Sequence, residues 1–467
     1  MAINKEFHSF NKDITKNIGS NKKGSGYLYN YDEAYELLKV NENFKSAMSE
    51  DVDLKLENKN KIIKKDKKYF REKKKNYMDM IVSTINSSGI EVRGYENDLQ
   101  KLALEMVEDL FGYSTIKELM YDEKVTDIYC LSKNKIYYER EGSESPIKFN
   151  KSFKSDEHYK NFIERLLKEA DKSMLDNGEF KSIDFDLYED RYNALSTAIS
   201  PNGYVLTIRK HSENHIKLPQ IIEKECMTQD VADFVGTLIR GGCNLIIAGI
   251  TGSGKTTTMR ALLDYFVAQM NRRMLVCEDT RELFPENDHT LELVTSEGSD
   301  EKDKSNIDLR DLVKIALRQK PRYIVIGEVR GVEAESAVEA METGHATIFS
   351  MHAGTAIDAI NRLVTKYLMQ MPTLGVDVVE RIIGSALDYI LIQDDIPGIG
   401  RRVTSITEIA FDNETRRIIT TPIIKFNFRS KTFDFKNNLS EEKADKMLRK
   451  GIKIDELSEY MPQGWTA

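Results

Sequence analysis

Downstream of about residue 219, apolar residues fall into two alternating forms: short unbroken runs, and longer stretches spaced three and four apart. The runs at 245–248 (Leu-Ile-Ile-Ala), 274–277 (Met-Leu-Val-Cys) and 323–326 (Tyr-Ile-Val-Ile) read as buried strands. Helical spacing is predicted over 228–240, 257–270, 309–318 and 357–368, the last with apolar positions at 357, 360, 363, 364 and 368. Strand alternating with helix is the pattern of an α/β domain around a parallel sheet. Further on, strands are predicted over 389–393, 403–411, 418–428 and 432–435, followed by a charged helix over 440–449.

Upstream, the pattern is that of a smaller α+β domain. A helix is predicted over 99–111, where Leu102, Met106 and Leu110 recur every fourth residue, and others over 116–120 and 158–172. Strands are predicted over 125–130, 135–138, 183–187, 191–198 and 204–208, the last two joined through Ser200-Pro201-Asn202-Gly203. A polar linker is placed over 211–220. The expected organisation is an N-terminal segment 1–75, an α+β domain 76–218 and a C-terminal domain 219–467. The first segment carries a short helix over 32–40 and a lysine-rich run over 59–75, read as a solvated helix or tail rather than as a contact for anionic lipid or nucleic acid.

Composition narrows the function classes. The chain has 467 residues, enough for two or three domains, and a formal net charge of −8 spread over many lysines, which does not argue for a nucleic-acid binder. Cys130, Cys226, Cys243 and Cys277 show no metal-ligand spacing and suit a reducing compartment. The first residues lack an apolar signal region and no run has transmembrane length, so a cytoplasmic protein is expected, with room for docking on a membrane partner.

The chemistry is concentrated after the first buried strand of the C-terminal domain. Gly249-Ile250-Thr251-Gly252-Ser253-Gly254-Lys255-Thr256 fits G-x-x-x-x-G-K-[ST], and Thr257 opens the helix that follows. Glycines let successive N–H groups turn onto a phosphate chain, Lys255 reaches its outer phosphates, Thr256 offers a hydroxyl to Mg²⁺, and the helix directs its positive end at the anion. The next strand ends in Glu278 and Asp279, at the strand ends where parallel α/β domains meet ligands. The strand at 323–326 ends in Gly327 and Glu328, and Glu328 stands where an NTPase carries its water-handling acid. Glycine at 327 replaces the aspartate of a simple Walker B, leaving water held by Glu278 or Asp279 as a candidate for the metal contact. His345 and His352 bracket a further strand; their seven-residue separation is unlike a zinc pair, and His352 is either a phosphate contact or a packed core histidine.

The glycine loop, EDTREL, LRQKPRYIVIGEVRG and TGHATIFSMHA follow one another in the order seen in secretion and pilus-assembly ATPases of the type II/type IV group. The chain most resembles their archaeal branch, which assembles type IV pili and the archaellum. The likeness spans about 95–430 and includes GYSTIKELMYDEKVTDIY and DRYNALSTAISPNGYVLTIRK upstream. It implies a RecA-like P-loop NTPase domain preceded by a smaller α+β domain, working with ATP and Mg²⁺ as a ring, expected to be a hexamer. Glu278 and Asp279 match the family's aspartate box, Glu328 its Walker B glutamate, and His345 and His352 its histidine box. Arg191 and Arg209 match first-domain arginines that approach the nucleotide, and Arg330 is placed to reach phosphates or a neighbouring subunit. The implied partner is a polytopic membrane platform protein. A nucleic-acid or DNA-transfer motor, and a nucleotide-gated scaffold, are the alternative readings; the first is disfavoured because no basic platform interleaved with aromatics is found outside the N-terminal segment.

Overall fold

The computed structural model describes residues 28–41, 67–140, 143, 145–170, 181–187, 190–210, 215–296 and 307–465. Residues 211–214 of the expected linker and 59–66 of the lysine-rich run lie outside them. The chain divides into two compact units, Met1–Ser212 and Glu213–Ala467.

In the first unit, β1 (Leu28–Tyr29) and β2 (Glu91–Val92) form a short parallel pair. A six-stranded sheet follows, built from β3 (Val125–Ser132), β4 (Lys135–Arg140), β5 (Ile147–Lys148), β6 (Ser182–Leu187), β7 (Asp190–Leu195) and β8 (Val205–Arg209) in the order β5-β4-β3-β8-β7-β6. β7 alternates buried and half-buried positions, as expected of an antiparallel strand with one face on a core. That core joins the sheet to Tyr159, Phe162, Ile163 and Leu166 of helix Asp156–Glu169. A second cluster packs helix Tyr31–Val40 and helix Lys67–Ser88 onto helix Leu99–Phe111, through Tyr31, Ala34, Leu38, Ile81, Ile85, Leu102 and Met106. The buried carboxylate of Asp109 ties the two clusters together, accepting hydrogen bonds from Tyr31 and Ser114 and lying 3.1 Å from Nε2 of His158.

The second unit contains a nine-stranded sheet: β9 (Leu245–Gly249), β10 (Met274–Glu278), β11 (Thr290–Val294), β12 (Tyr323–Glu328), β13 (Ala346–His352), β14 (Tyr389–Ile396), β15 (Gly400–Asp412), β16 (Arg417–Asn427) and β17 (Thr432–Phe435), in the order β11-β10-β12-β13-β9-β14-β15-β16-β17. From β11 to β14 the pairing is parallel, and from β14 to β17 antiparallel. The central strands are apolar throughout because both faces are covered. Leu245 and Ile247 enter one core with helices Gln229–Arg240 and Lys255–Phe266, while Ile246 and Ala248 enter the other with helices Leu309–Leu317 and Glu333–Glu342.

At the N-terminal ends of the central strands, Asn244 fixes the register. Its Nδ2 donates to the Ala386 carbonyl at 2.7 Å and its Oδ1 accepts from the Thr347 N–H at 2.9 Å. Its own N–H donates to Oδ2 of Asp388 at 2.7 Å. Asp388 is 1% exposed and also holds Lys443 at 2.8 Å and Lys446 at 2.5 Å, fastening helix Glu441–Arg449 to the sheet.

Two differences from the sequence pattern have physical reasons. β11 has no counterpart in the apolar runs because, as the sheet's edge, it is only half-buried. The composition boundary at residue 75 is not a structural one: helix Lys67–Ser88 passes through it, and Tyr31–Val40 packs on the same core. Deleting residues 1–75 therefore removes the buried side chains of Tyr31, Ala34, Tyr35 and Leu38. The truncated chain is expected to lose about 3 kcal/mol or more in the unfolding of the first unit, read as a lower denaturant midpoint and faster proteolysis within 76–111; an unchanged midpoint would refute it.

Candidate functional site

The glycine loop leaves the C-terminal end of β9 and closes at Gly254, where helix Lys255–Phe266 begins. Gly252 and Gly254 have φ of +79° and +90°, conformations that side chains strain. Gly249 is held by space instead: a Cβ there would meet the Gln393 carbonyl oxygen at 2.0 Å and Ser253 Oγ at 2.6 Å. Ser253 is buried and donates to the Ile250 carbonyl at 2.9 Å; Thr251 is exposed, and Thr256 and Thr257 are half-buried in the first helical turn.

Lys255 is nearly buried, and its Nζ donates to the carbonyls of Gly249 at 3.0 Å and Ile250 at 2.9 Å. It also lies 3.3 Å from Nδ1 of His352. The parallel register places His352 beside Gly249 and Ser350 beside Glu328, so three strand ends converge. Nε2 of His352 is 2.9 Å from Oε1 of Glu328, close enough for an ion pair but without hydrogen-bond alignment, so this buried oxygen is left without a hydrogen bond. The other carboxylate oxygen is 2.5 Å from Nη2 of Arg330, and that contact raises the affinity of the guanidinium for its proton. A continuous line of polar groups thus runs from Lys255 through His352 and Glu328 to Arg330.

Glu278 and Asp279 diverge at the end of β10. Asp279 is exposed, whereas Glu278 is 3% exposed and accepts at Oε1 from the N–H groups of Glu282 and Leu283, both at 3.2 Å. Burial pushes its carboxyl up to about 8, against the pull of those N–H groups, so near neutrality it keeps its proton unless a cation is beside it. The side chain lies over Gly327: a Cβ at 327 would meet Cγ of Glu278 at 2.9 Å. The space that an aspartate before Glu328 would occupy is filled from the neighbouring strand.

The structure places His345 away from the glycine loop. It precedes β13 while His352 ends it, so the two lie roughly 20 Å apart along the strand. His345 sits near Thr343, 3.0 Å from its hydroxyl, and near Lys450 rather than at the glycine loop. Arg191 and Arg209 belong to the first unit, paired directly across β7 and β8. The sequence reading missed Gln393 and Arg401, which the antiparallel turn from β14 to β15 brings against the loop. Nε2 of Gln393 donates to the Ser253 carbonyl at 2.6 Å, and its buried Oε1 has no hydrogen-bond partner among the described residues. Cδ and Nε of Arg401 lie 3.2 and 3.6 Å from where a Gly254 Cβ would stand. The one available signal was a glutamine closing an otherwise apolar strand.

These features fit a nucleotide polyphosphate with a divalent cation. The loop has the backbone freedom to wrap an anion, Lys255 is tethered to loop carbonyls that a phosphate can displace, and Glu278 is an acid that burial keeps protonated until a positive charge approaches. Among the described residues, no ready-made group of His, Cys, Asp and Glu could hold a metal ion unaided. Because Glu278 occupies the space at 327, Gly327→Asp is expected not to supply a metal ligand but to displace Glu278, costing about 2–4 kcal/mol; Gly327→Ala should cost less. Thermal unfolding of both variants checks this, and an aspartate variant as stable as the parent would refute it.

Comparison with known proteins places the chain in a family. The model of the family described as type II/IV secretion system protein matches residues 110–397. An uncharacterised protein of Methanocaldococcus jannaschii is 39% identical over 168 residues, covering 36% of this chain and 30% of its own length. The conjugal transfer protein TrbB of Rhizobium radiobacter is 31% identical over 212 residues, covering 44% of this chain and 61% of its own. This chain therefore spans less than two thirds of the length of these relatives. The crystal structure of the Legionella pneumophila ATPase DotB aligns over 72% of this chain and 83% of its own, with 18% identity and a TM-score of 0.44. With the family match covering more than half of its residues, from the first unit through the glycine loop to β14, the chain belongs to the type II/IV secretion system protein family.

Proposed function

We propose that this chain is a Mg²⁺-dependent ATPase that works as a ring, expected to be a hexamer, and powers assembly or secretion of type IV pilus-like or archaellum-like filaments through a membrane platform protein. The observation that carries the reading is the convergence of Lys255, His352 and Glu328 at the strand ends flanking the glycine loop. Family membership supports the secretion role, and the motif resemblance supports the filament. No helix among the described residues is long and apolar enough to cross a membrane.

In this reading the loop from Gly249 to Thr256 and the N-terminal end of its helix hold the phosphates. Lys255 leaves the carbonyls of Gly249 and Ile250 for the outer phosphates, and Gln393 braces the loop from below. Mg²⁺, when bound, neutralises phosphate charge and orients the chain; Thr256, Glu278 and Asp279 are the residues assigned to it. Glu328 orients the attacking water, for which at least one of its contacts with His352 and Arg330 must give way. His352, between Lys255 and Glu328, is placed to register whether the lysine is on a phosphate. Arg191 and Arg209 are assigned to the nucleotide by the motif resemblance.

The conjugal transfer relative keeps a second reading open, a DNA-transfer motor. Turnover stimulated by single-stranded DNA would favour it over the filament motor.

Lys255→Ala is expected to abolish ATP turnover and to lose the thermal stabilisation that Mg-ATP gives the parent, while its melting point without ligand stays close to the parent's. Equal stabilisation of both would sink the assignment. Glu328→Gln keeps size and hydrogen bonding but removes the charge. Its kcat should fall by at least about 10²-fold, roughly 2.7 kcal/mol, with ATP affinity changed by less than about tenfold. Single-turnover hydrolysis beside equilibrium binding tests it, and a parental rate for bound ATP would pass the role to Glu278 or Asp279.

A further inference from the structure

At the opposite end of the sheet from the glycine loop, cationic side chains from three separate elements converge. Arg322 immediately precedes β12, His345 immediately precedes β13, and Lys446, Arg449 and Lys450 come from the last turn and end of helix Glu441–Arg449. Arg322 Nη2 and Lys450 Cγ both lie 3.6 Å from where a Cβ on Gly242 would stand, so the two cations share one glycine surface. Nζ of Lys450 is bound only loosely, to the Gly344 carbonyl at 3.3 Å. Burial, then Arg322 and Lys446, weaken the hold of Lys450 on its proton, and burial, then Lys450, do the same for His345. These groups therefore act on one another as like charges.

Beside them is a cavity of about 300 Å³, lined by Lys446, Arg449 and Lys450 together with Asp388 and Glu442. Asp388 is shared by Lys443, Lys446 and the Asn244 N–H, so within the cluster it pairs with Lys446 and leaves Arg322, Arg449 and Lys450 to other partners. Among the described residues, Arg322, Arg449 and Lys450 form no ion pair. Cations at the C-terminal end of a helix complement its dipole, which accounts for Lys446, Arg449 and Lys450 but not for Arg322 and His345 on other elements. Holding this many like charges at a partly enclosed site is unfavourable unless an anion joins them.

We infer that Lys446, Arg449 and Lys450, which line this cavity, form with Arg322 and His345 next to Lys450 a second anion site, distinct from the glycine loop, which takes the phosphate group of a phosphomonoester. A guanidinium fork and neighbouring ammonium groups match the charge and the several acceptor oxygens of such a group, and the cavity leaves room for the moiety it is attached to.

The test uses the full chain carrying Lys255→Ala, so that the glycine loop does not dominate. Inorganic phosphate titrated by calorimetry should bind saturably, and adding Arg322→Ala and Lys450→Ala should weaken that binding by at least about tenfold. The Arg322→Gln and Lys450→Gln pair, which keeps much of the side-chain bulk, should do the same, and unfolding curves verify that each variant is folded. Absence of saturable binding to the Lys255→Ala chain, or equal binding after the additional substitutions, would overturn the site. Co-sedimentation with phosphatidylcholine vesicles containing phosphatidic acid then identifies the source. Loss of vesicle binding with the additional substitutions supports a lipid headgroup; loss of phosphate binding with vesicle binding unchanged supports a soluble phosphate.

Discussion

Parallel pairing of β9 with β13, and of β13 with β12, is the constraint on which the candidate site depends. Parallel strands end on the same side of a sheet, so residues far apart in the chain arrive together there. Gly249 opposes His352 and Ser350 opposes Glu328, which leaves Lys255, the first residue of the next helix, within 3.3 Å of the histidine. A slip of one residue in either pairing would turn the alternating core residues to the wrong face and carry these polar groups with them. The Asn244 and Asp388 contacts at the far end of the same strands hold that register, so a buried polar knot at one end of the sheet fixes the chemistry at the other.

The acids show how neighbouring strands share one space. Glycine at 327 would be a defect in a strand ending meant to deliver two acids. Here it makes room for Glu278 from β10, whose carboxyl rests on it and is anchored by two backbone N–H groups. Burial leaves that carboxyl reluctant to ionise, whereas Asp279 remains at the surface. The pair is thus divided into a protonated interior acid and a solvated one, and only the interior acid gains strongly from an approaching cation. Glu328 is different again, engaged by His352 on one oxygen and Arg330 on the other.

The two ends of β13 meet different surroundings. At its C-terminal end His352 lies beside Lys255 of the glycine loop; before its N-terminal end His345 lies near Lys450, which follows helix Glu441–Arg449. That helix is fastened to the sheet by Lys443 and Lys446 on Asp388, a buried arrangement in which removing the carboxylate would strand two cations.

Much of this protein was legible in the order of its residues. Unbroken apolar runs at 245–248, 274–277 and 323–326 mark strands covered on both faces, because only full burial makes alternation unnecessary. The glycine loop was legible because its chemistry is local: the positive φ of Gly252 and Gly254, and the lysine and threonine after them, lie within a few residues of one another. Position within the sheet was not legible. The edge strand β11 lacks the burial that produces an apolar run. Composition groups helix Tyr31–Val40 with the lysine-rich segment, whereas its core lies against Leu102 and Met106. Gln393 and Arg401, more than a hundred residues from the loop, are carried against it by an antiparallel turn. Local backbone chemistry and burial are encoded residue by residue, but which side chains meet across strands depends on pairing and register, and those exist only once the sheet has formed.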